Sequence, residues 1–194
     1  MTLITNTIVA ELRRLHADRP YHNWTHVEAM LRLLRQYREF VSTYSLLEAA
    51  IFFHDVICTS YRQDNEERSA NLALEMLGRS ISGPMGDILK TLILSTRKHV
   101  IPDGVSAELA GDIGFLLDFD LSILGAPADE YEHYVRGVRQ EYDWATESEW
   151  KKGRGDFLRG ILARPAIFHT KPMFERFEEQ ARRNVSTELS LLDR

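Results

Sequence analysis

The sequence predicts an all-α protein. Three observations carry that expectation. Apolar residues recur at the three- and four-residue spacing that places them on one face of a helix. The strict apolar–polar alternation of a half-buried strand is almost absent. The six prolines and eleven glycines fall mostly between the periodic segments, as punctuation.

The segments can be taken in order. The first runs from about Leu3 to His16, with Ile4, Ile8 and Leu12 on one face. The second runs from about His22 to Phe40, with Met30, Leu33, Leu34 and Tyr37 inward. A third begins at Ser45, where Ser45 and Glu48 have the spacing of a capping box, and carries Leu47, Ala50, Ile51 and His54. Asp64 and Glu67 repeat that spacing before Leu72, Leu74 and Leu77, and Gly78 suits the stop. Pro84 opens the next segment, which runs through Ile88 and Leu92 to His99. Leu109, Ile113, Leu116, Leu117 and Leu121 mark another. Two long helices are expected at about Pro127 to Trp144 and Glu147 to Leu162, the second behind a Thr146–Glu149 capping box. Pro165 stops that stretch, and Thr170 with Pro172 opens a last helix toward Leu189. No repeat or linker interrupts the chain, so residues 1–194 read as one all-α domain of uneven helices.

Composition narrows the class. The 194 residues are 44% hydrophobic and 27% charged, enough to bury a core without disulfide or metal staples. The single cysteine, Cys58, excludes an internal disulfide and a cysteine-rich zinc site, and is compatible with a reducing cytoplasm, the expected location. Met1 to Ala10 lacks the basic start and apolar run of a signal peptide. No apolar stretch approaches the roughly 20 residues needed to span a bilayer, so no membrane partner is expected. A net charge of −5 argues against a general electrostatic grip on nucleic acid.

Three places set metal-type ligands among apolar residues. His22 and His26 are four apart, which on a helix puts both on one face. His54 and Asp55 end the apolar run Ala49 to Phe53. Asp118 and Asp120 lie inside the apolar stretch Phe115 to Leu124. Burying an unpaired carboxylate is costly, and a divalent cation shared by several of these groups removes that cost. His16, His133 and His169 read as ordinary core or surface residues, and Asp64 as a helix cap first.

The order His, then His-Asp, then a distant Asp resembles the HD superfamily of metal-dependent phosphohydrolases. Tyr21-His22-Asn23-Trp24-Thr25-His26 resembles the Tyr-His-Asn-x-x-His signature of cyclic-nucleotide phosphodiesterases, which share that helical core. The chain is more closely similar to a bacterial group of small HD proteins regarded as phosphohydrolases. That similarity rests on Phe53-His54-Asp55, on Asp64-Asn65-Glu66-Glu67-x-Ser69-Ala70 and on Leu117-Asp118-Phe119-Asp120-Leu121. It continues through Arg139-x-Glu141-Tyr142 and Ala181-Arg182-x-Asn184, and so covers most of the chain.

The resemblance implies an HD helical core with additional C-terminal helices. It implies His26, His54, Asp55 and Asp120 as metal ligands, with Asp118 as the alternative to Asp120. Asp120 is preferred because Phe119-Asp120-Leu121-Ser122 matches the form of the phosphodiesterase ligand. His22 matches the general acid of those enzymes, and Asp55 is a candidate to span the metal and the attacking water. His99 is a candidate second-metal ligand or phosphate contact. Arg62, Arg97 and Lys98 are candidate phosphate contacts, each of which also reads as a surface charge. Of Glu66 and Glu67, one is a candidate base beside the site and the other a helix-surface residue. The His-Asp pair is followed by Val56-Ile57-Cys58, where many HD enzymes of other branches carry Gly-Lys or an acidic residue, so their substrate roles do not transfer.

Imidazole nitrogens and carboxylate oxygens suit manganese, iron, cobalt, nickel, zinc or magnesium. The expected function is hydrolysis of a small-molecule phosphate ester, with nucleotides in the substrate range by analogy to the superfamily. No glycine-rich loop of the Gly-x-x-x-x-Gly-Lys type is present to specify a nucleotide. Two other readings stay open: a di-iron oxygenase, for which His99 is the permitting feature, and a non-catalytic nucleotide sensor. Homo-oligomerisation also stays open.

Overall fold

The computed structural model describes residues 3–194 and, among them, contains nine α-helices and no strand. None of these helices is long and apolar enough to cross a membrane. The chain divides into two compact units, residues 1–119 and 120–194.

The first unit holds α1 (Asn6–Leu15), α2 (Trp24–Gln36), α3 (Tyr44–Phe53), α4 (Asn65–Leu77), α5 (Pro84–Ser95) and, but for its last residue, α6 (Ala107–Asp120). The middle of this unit is α3. Seven of its ten residues are buried, and it packs against α2, α4 and α5. That matches a segment apolar on every side, which a surface helix would not be. Gly78 closes α4 with a backbone φ of 52°, a conformation that costs glycine little. Pro84 sits at the start of α5, where its missing N–H is no loss.

Two expected helix caps differ from those observed. The third helix starts one residue earlier, at Tyr44, and Ser45 and Glu48 do not form its cap. The amides ahead of it are met from another helix instead. Asp112 of α6 accepts from the Ser42 amide (2.8 Å), the Thr43 amide (2.7 Å) and the Thr43 hydroxyl. With Thr43 held this way as the N-cap residue, Ser45 lies inside the first turn, where it cannot serve as the cap. Asp64 stands at the N-cap of α4 without capping it, since its two oxygens are taken by Arg62 (2.7 and 2.6 Å).

Aromatic packing continues what Asp112 begins. Phe115 and Phe119 of α6 lie 6.0 and 6.1 Å, ring to ring, from Tyr37 at the end of α2. Helix α6 is thereby fixed against the C-terminal end of α2 and the entry to α3.

The second unit opens with a short 3-10 turn, Leu121–Gly125, followed by α7 (Ala128–Glu141), α8 (Glu147–Leu162) and α9 (Lys171–Leu192). The Thr146–Glu149 capping box forms as expected at the start of α8. Helix α9 packs on the 3-10 turn and on α8. Asn184 donates to the carbonyls of Leu124 and Ala126, both at 2.8 Å. Gly125 is required there, because a Cβ would lie 2.7 Å from the Phe177 Cβ. A buried polar group ties α8 to α9: Arg154 makes a two-pronged pair with Glu188 (2.8 and 3.0 Å) and donates to the Tyr134 hydroxyl (2.9 Å). The Tyr131 hydroxyl donates to the same Glu188, and burial followed by that carboxylate's charge holds the phenol far above its ordinary range. Arg139 donates to the carbonyls of Tyr142 and Ala145, and Arg182 to Glu178, so these motif residues stabilise turns and helix ends.

Asp112→Asn tests the cross-helix cap. The amide's NH2 would face donors, and the charge-assisted bonds would be lost. The variant should unfold with a stability lower by about 2 kcal/mol, read as an earlier urea midpoint. An unchanged midpoint would mean that Asp112 does not hold the start of α3.

Candidate metal centre

Helix α3 delivers the central residue. Its apolar body ends at Phe53, and His54 takes the C-cap position with its ring almost wholly buried. The His54 Nδ1–H donates to the Ile51 carbonyl at 2.9 Å. That bond fixes the tautomer: Nδ1 carries the proton, so in the neutral ring Nε2 presents its lone pair.

Helix α2 delivers the second imidazole. Asn23 caps it, accepting from the Thr25 amide at 2.8 Å, and its own NH2 holds the carbonyls of Arg19 and Pro20. His26, in the first turn, lies with its Nδ1 3.3 Å from the Tyr21 hydroxyl. Its Nε2 lies 3.3 Å from the Nε2 of His54. His22 is not on this helix, which begins at Trp24, so the expected helical i, i+4 relation to His26 does not hold. The turn ahead of α2 nevertheless brings the two rings to 5.9 Å, centre to centre.

Helix α6 delivers a carboxylate. One ligand atom each from His26, His54 and Asp120 lies within 4.8 Å of the others, and the group can hold a metal ion. Asp118 is two residues away on the same helix, about 200° around its axis. The two side chains therefore point to opposite faces. Asp118 is fully buried, whereas Asp120 is partly exposed. Asp55 enters by a separate contact, its Oδ2 3.1 Å from the His54 Nε2 and 4.0 Å from the His22 Nε2.

The loop after Asp55 is fixed by α4. Asn65 bonds both ways with the Thr59 backbone (3.3 and 3.0 Å), and the Ser69 hydroxyl does so with Ile57 (3.1 and 3.2 Å). Those motif residues therefore shape the loop. Glu66 is partly buried, and burial raises its carboxyl above the ordinary range, with repulsion from Asp55 adding to it. Glu67 pairs with Arg97, which also donates to the Gln63 carbonyl. Arg62 pairs with Asp64, so both candidate arginines carry a carboxylate partner. Lys98 is exposed in the turn after α5, and His99 follows it with a left-handed φ of 50°.

No sequence signal gives Tyr21 or Arg19 a role, and His16 reads there as an ordinary residue. His16 is buried against Trp24, with ring centres 6.0 Å apart, and its Nδ1–H donates to the Leu12 carbonyl at 2.9 Å. Its Nε2 has no hydrogen-bond partner among the described residues. Two nitrogens and nearby carboxylates suit a first-row divalent ion, and the fixed His54 tautomer is what such ligation needs. Comparison with protein-family models, curated proteins and solved structures found no match.

His16 gives a pH dependence of stability. Burial, opposed by the Leu12 carbonyl and joined by the Arg19 charge, pushes its pKa down to about 4 from 6.5. Above pH 6.5 the ring is neutral folded and unfolded, so stability is unaffected. As pH falls from 6.5 to 4, only the unfolded chain takes the proton, and up to about 3 kcal/mol of stability is lost. His16→Asn, whose amide can keep the Leu12 bond, should lack that limb in urea unfolding measured from pH 7.5 to 4. Parallel profiles for the two proteins would refute the buried neutral ring.

Proposed function

We propose that this chain is a metal-dependent phosphohydrolase of the HD type, cleaving a phosphate ester with nucleotides in its range. The observation that carries the reading is the facing pair of imidazole nitrogens, His26 and His54, 3.3 Å apart, with carboxylates beside them. The resemblance in the order of His, His-Asp and Asp supports the same reaction class. His26, His54, Asp55 and Asp120 would hold the ion. When bound there, a divalent cation supplies Lewis acidity, lowering the pKa of water and drawing charge from phosphoryl oxygens.

The remaining work falls to the protein's own side chains. His22 is only partly buried, and an imidazole there can hand a proton to a leaving oxygen. The Asp55 Oδ2 lies 4.0 Å from its Nε2, near enough to attract the ring when it carries a proton. Glu66 is kept toward its neutral form by burial and can serve as a second proton carrier. Arg62, Arg97 and Lys98 stay the candidate phosphate contacts, and Arg62 and Arg97 each also pair with a carboxylate.

Three measurements test this. Asp55→Ala should lose bound divalent ion and melt earlier than the parent, since metal binding couples to folding. His22→Ala should keep the ion and lose about a hundredfold in turnover. Phosphate release from mononucleotides and a simple aryl phosphate should proceed equally well without oxygen, stop with a strong chelator, and return with manganese or cobalt. A requirement for dioxygen would favour the oxygenase. Full metal content with nucleotide binding and no turnover would favour the sensor.

A further inference from the structure

Arg19 stands in the turn between α1 and α2, half-buried, and among the described residues its side chain donates to main-chain carbonyls. One terminal nitrogen donates to His22 O (3.2 Å) and to Asp55 O. The other donates to Leu15 O (2.9 Å) and to Val56 O (2.7 Å). The four N–H groups of the two terminal nitrogens thus meet four carbonyl oxygens. Leu15 ends α1, and Asp55 and Val56 follow the end of α3. Helix ends carry unmet carbonyls and partial negative charge, so a cation is favoured between two of them.

The consequence reaches the candidate site. Through one guanidinium, the main chain of His22 is tied to that of Asp55, although 33 positions separate them in sequence. Asn23, which caps α2, also holds the Arg19 carbonyl at 3.0 Å, so the turn is latched to the helix carrying His26. Lysine cannot substitute, because an ammonium is a compact point donor and the four oxygens are spread over a planar fork.

Resting on the metal-site reading above, we propose that Arg19 is the positioning residue of the site. It sets the His22 turn and the His54-Asp55 turn at the separation a shared ion requires.

The test uses the full chain, with cobalt(II) as the probe, and compares the parent with Arg19→Ala and Arg19→Lys. Metal affinity, the visible absorption of bound cobalt and metal-free helicity are recorded for each. Arg19→Ala should keep its helical signal, bind cobalt about 10- to 100-fold more weakly and show altered visible bands. Added guanidinium, below denaturing concentration, should restore part of the affinity and the parental bands, which a generally loosened protein would not do. Arg19→Lys should keep the charge and still show the altered bands. If Arg19→Ala does not fold, the bands of Arg19→Lys decide. Parental affinity and bands in the folded variants would overturn the proposal while leaving the metal site standing. A parent chain that binds no cobalt would overturn both.

Discussion

The candidate site depends on one constraint: the His54 Nδ1–H is committed to the Ile51 carbonyl, so its Nε2 must face His26 as an acceptor. Without an ion, the His26 Nε2–H can donate to that lone pair while the Tyr21 hydroxyl meets the His26 Nδ1. A divalent cation between the rings would take the lone pairs of both Nε2 atoms, with Asp120 the carboxylate grouped with them. Proton and metal therefore compete for the same nitrogens.

The first unit reads as a frame for that pair. Asp112 closes the start of α3, so the helix is set before it reaches His54. Tyr37 against Phe115 and Phe119 fixes α6, the helix that ends in Asp120. Asn23 starts α2 and leaves His26 in its first turn. Ser69 and Asn65 tie down the loop behind Asp55. The second unit has its own polar centre, in which Arg154 and Glu188 are buried together and satisfied by two tyrosines. A buried pair of this kind adds little net stability over apolar packing, but removing one partner leaves a costly buried charge.

Much of the helical layout was legible because its signals are local. Apolar periodicity, Pro84, Gly78, the Thr146–Glu149 box and Thr170 with Pro172 act within one turn, and each appears where expected. The helix caps that differ involve partners outside the local box. Ser45 and Glu48 have the right spacing, but Asp112 reaches the preceding amides from a distant part of the chain. Asp64 is drawn aside by Arg62. His22 looked helical by spacing alone, and Asn23, a strong cap residue, was the signal that places it outside the helix. Arg19 left no periodic mark because its partners are backbone oxygens, which no side-chain pattern encodes. The helical phase of α6 separates Asp118 from Asp120, and it could have been counted from the sequence.

The most direct test of the shared cation is magnetic resonance of the imidazole nitrogens. Chain labelled with nitrogen-15 would be loaded with cadmium-113, a spin-active stand-in for a divalent ion. A shared cation should give one cadmium resonance with one-bond couplings to the Nε2 of both His26 and His54, and a protonated Nδ1 on His54. Coupling through the His54 Nδ1, separate cadmium ions on the two rings, or no coupling to either would contradict it.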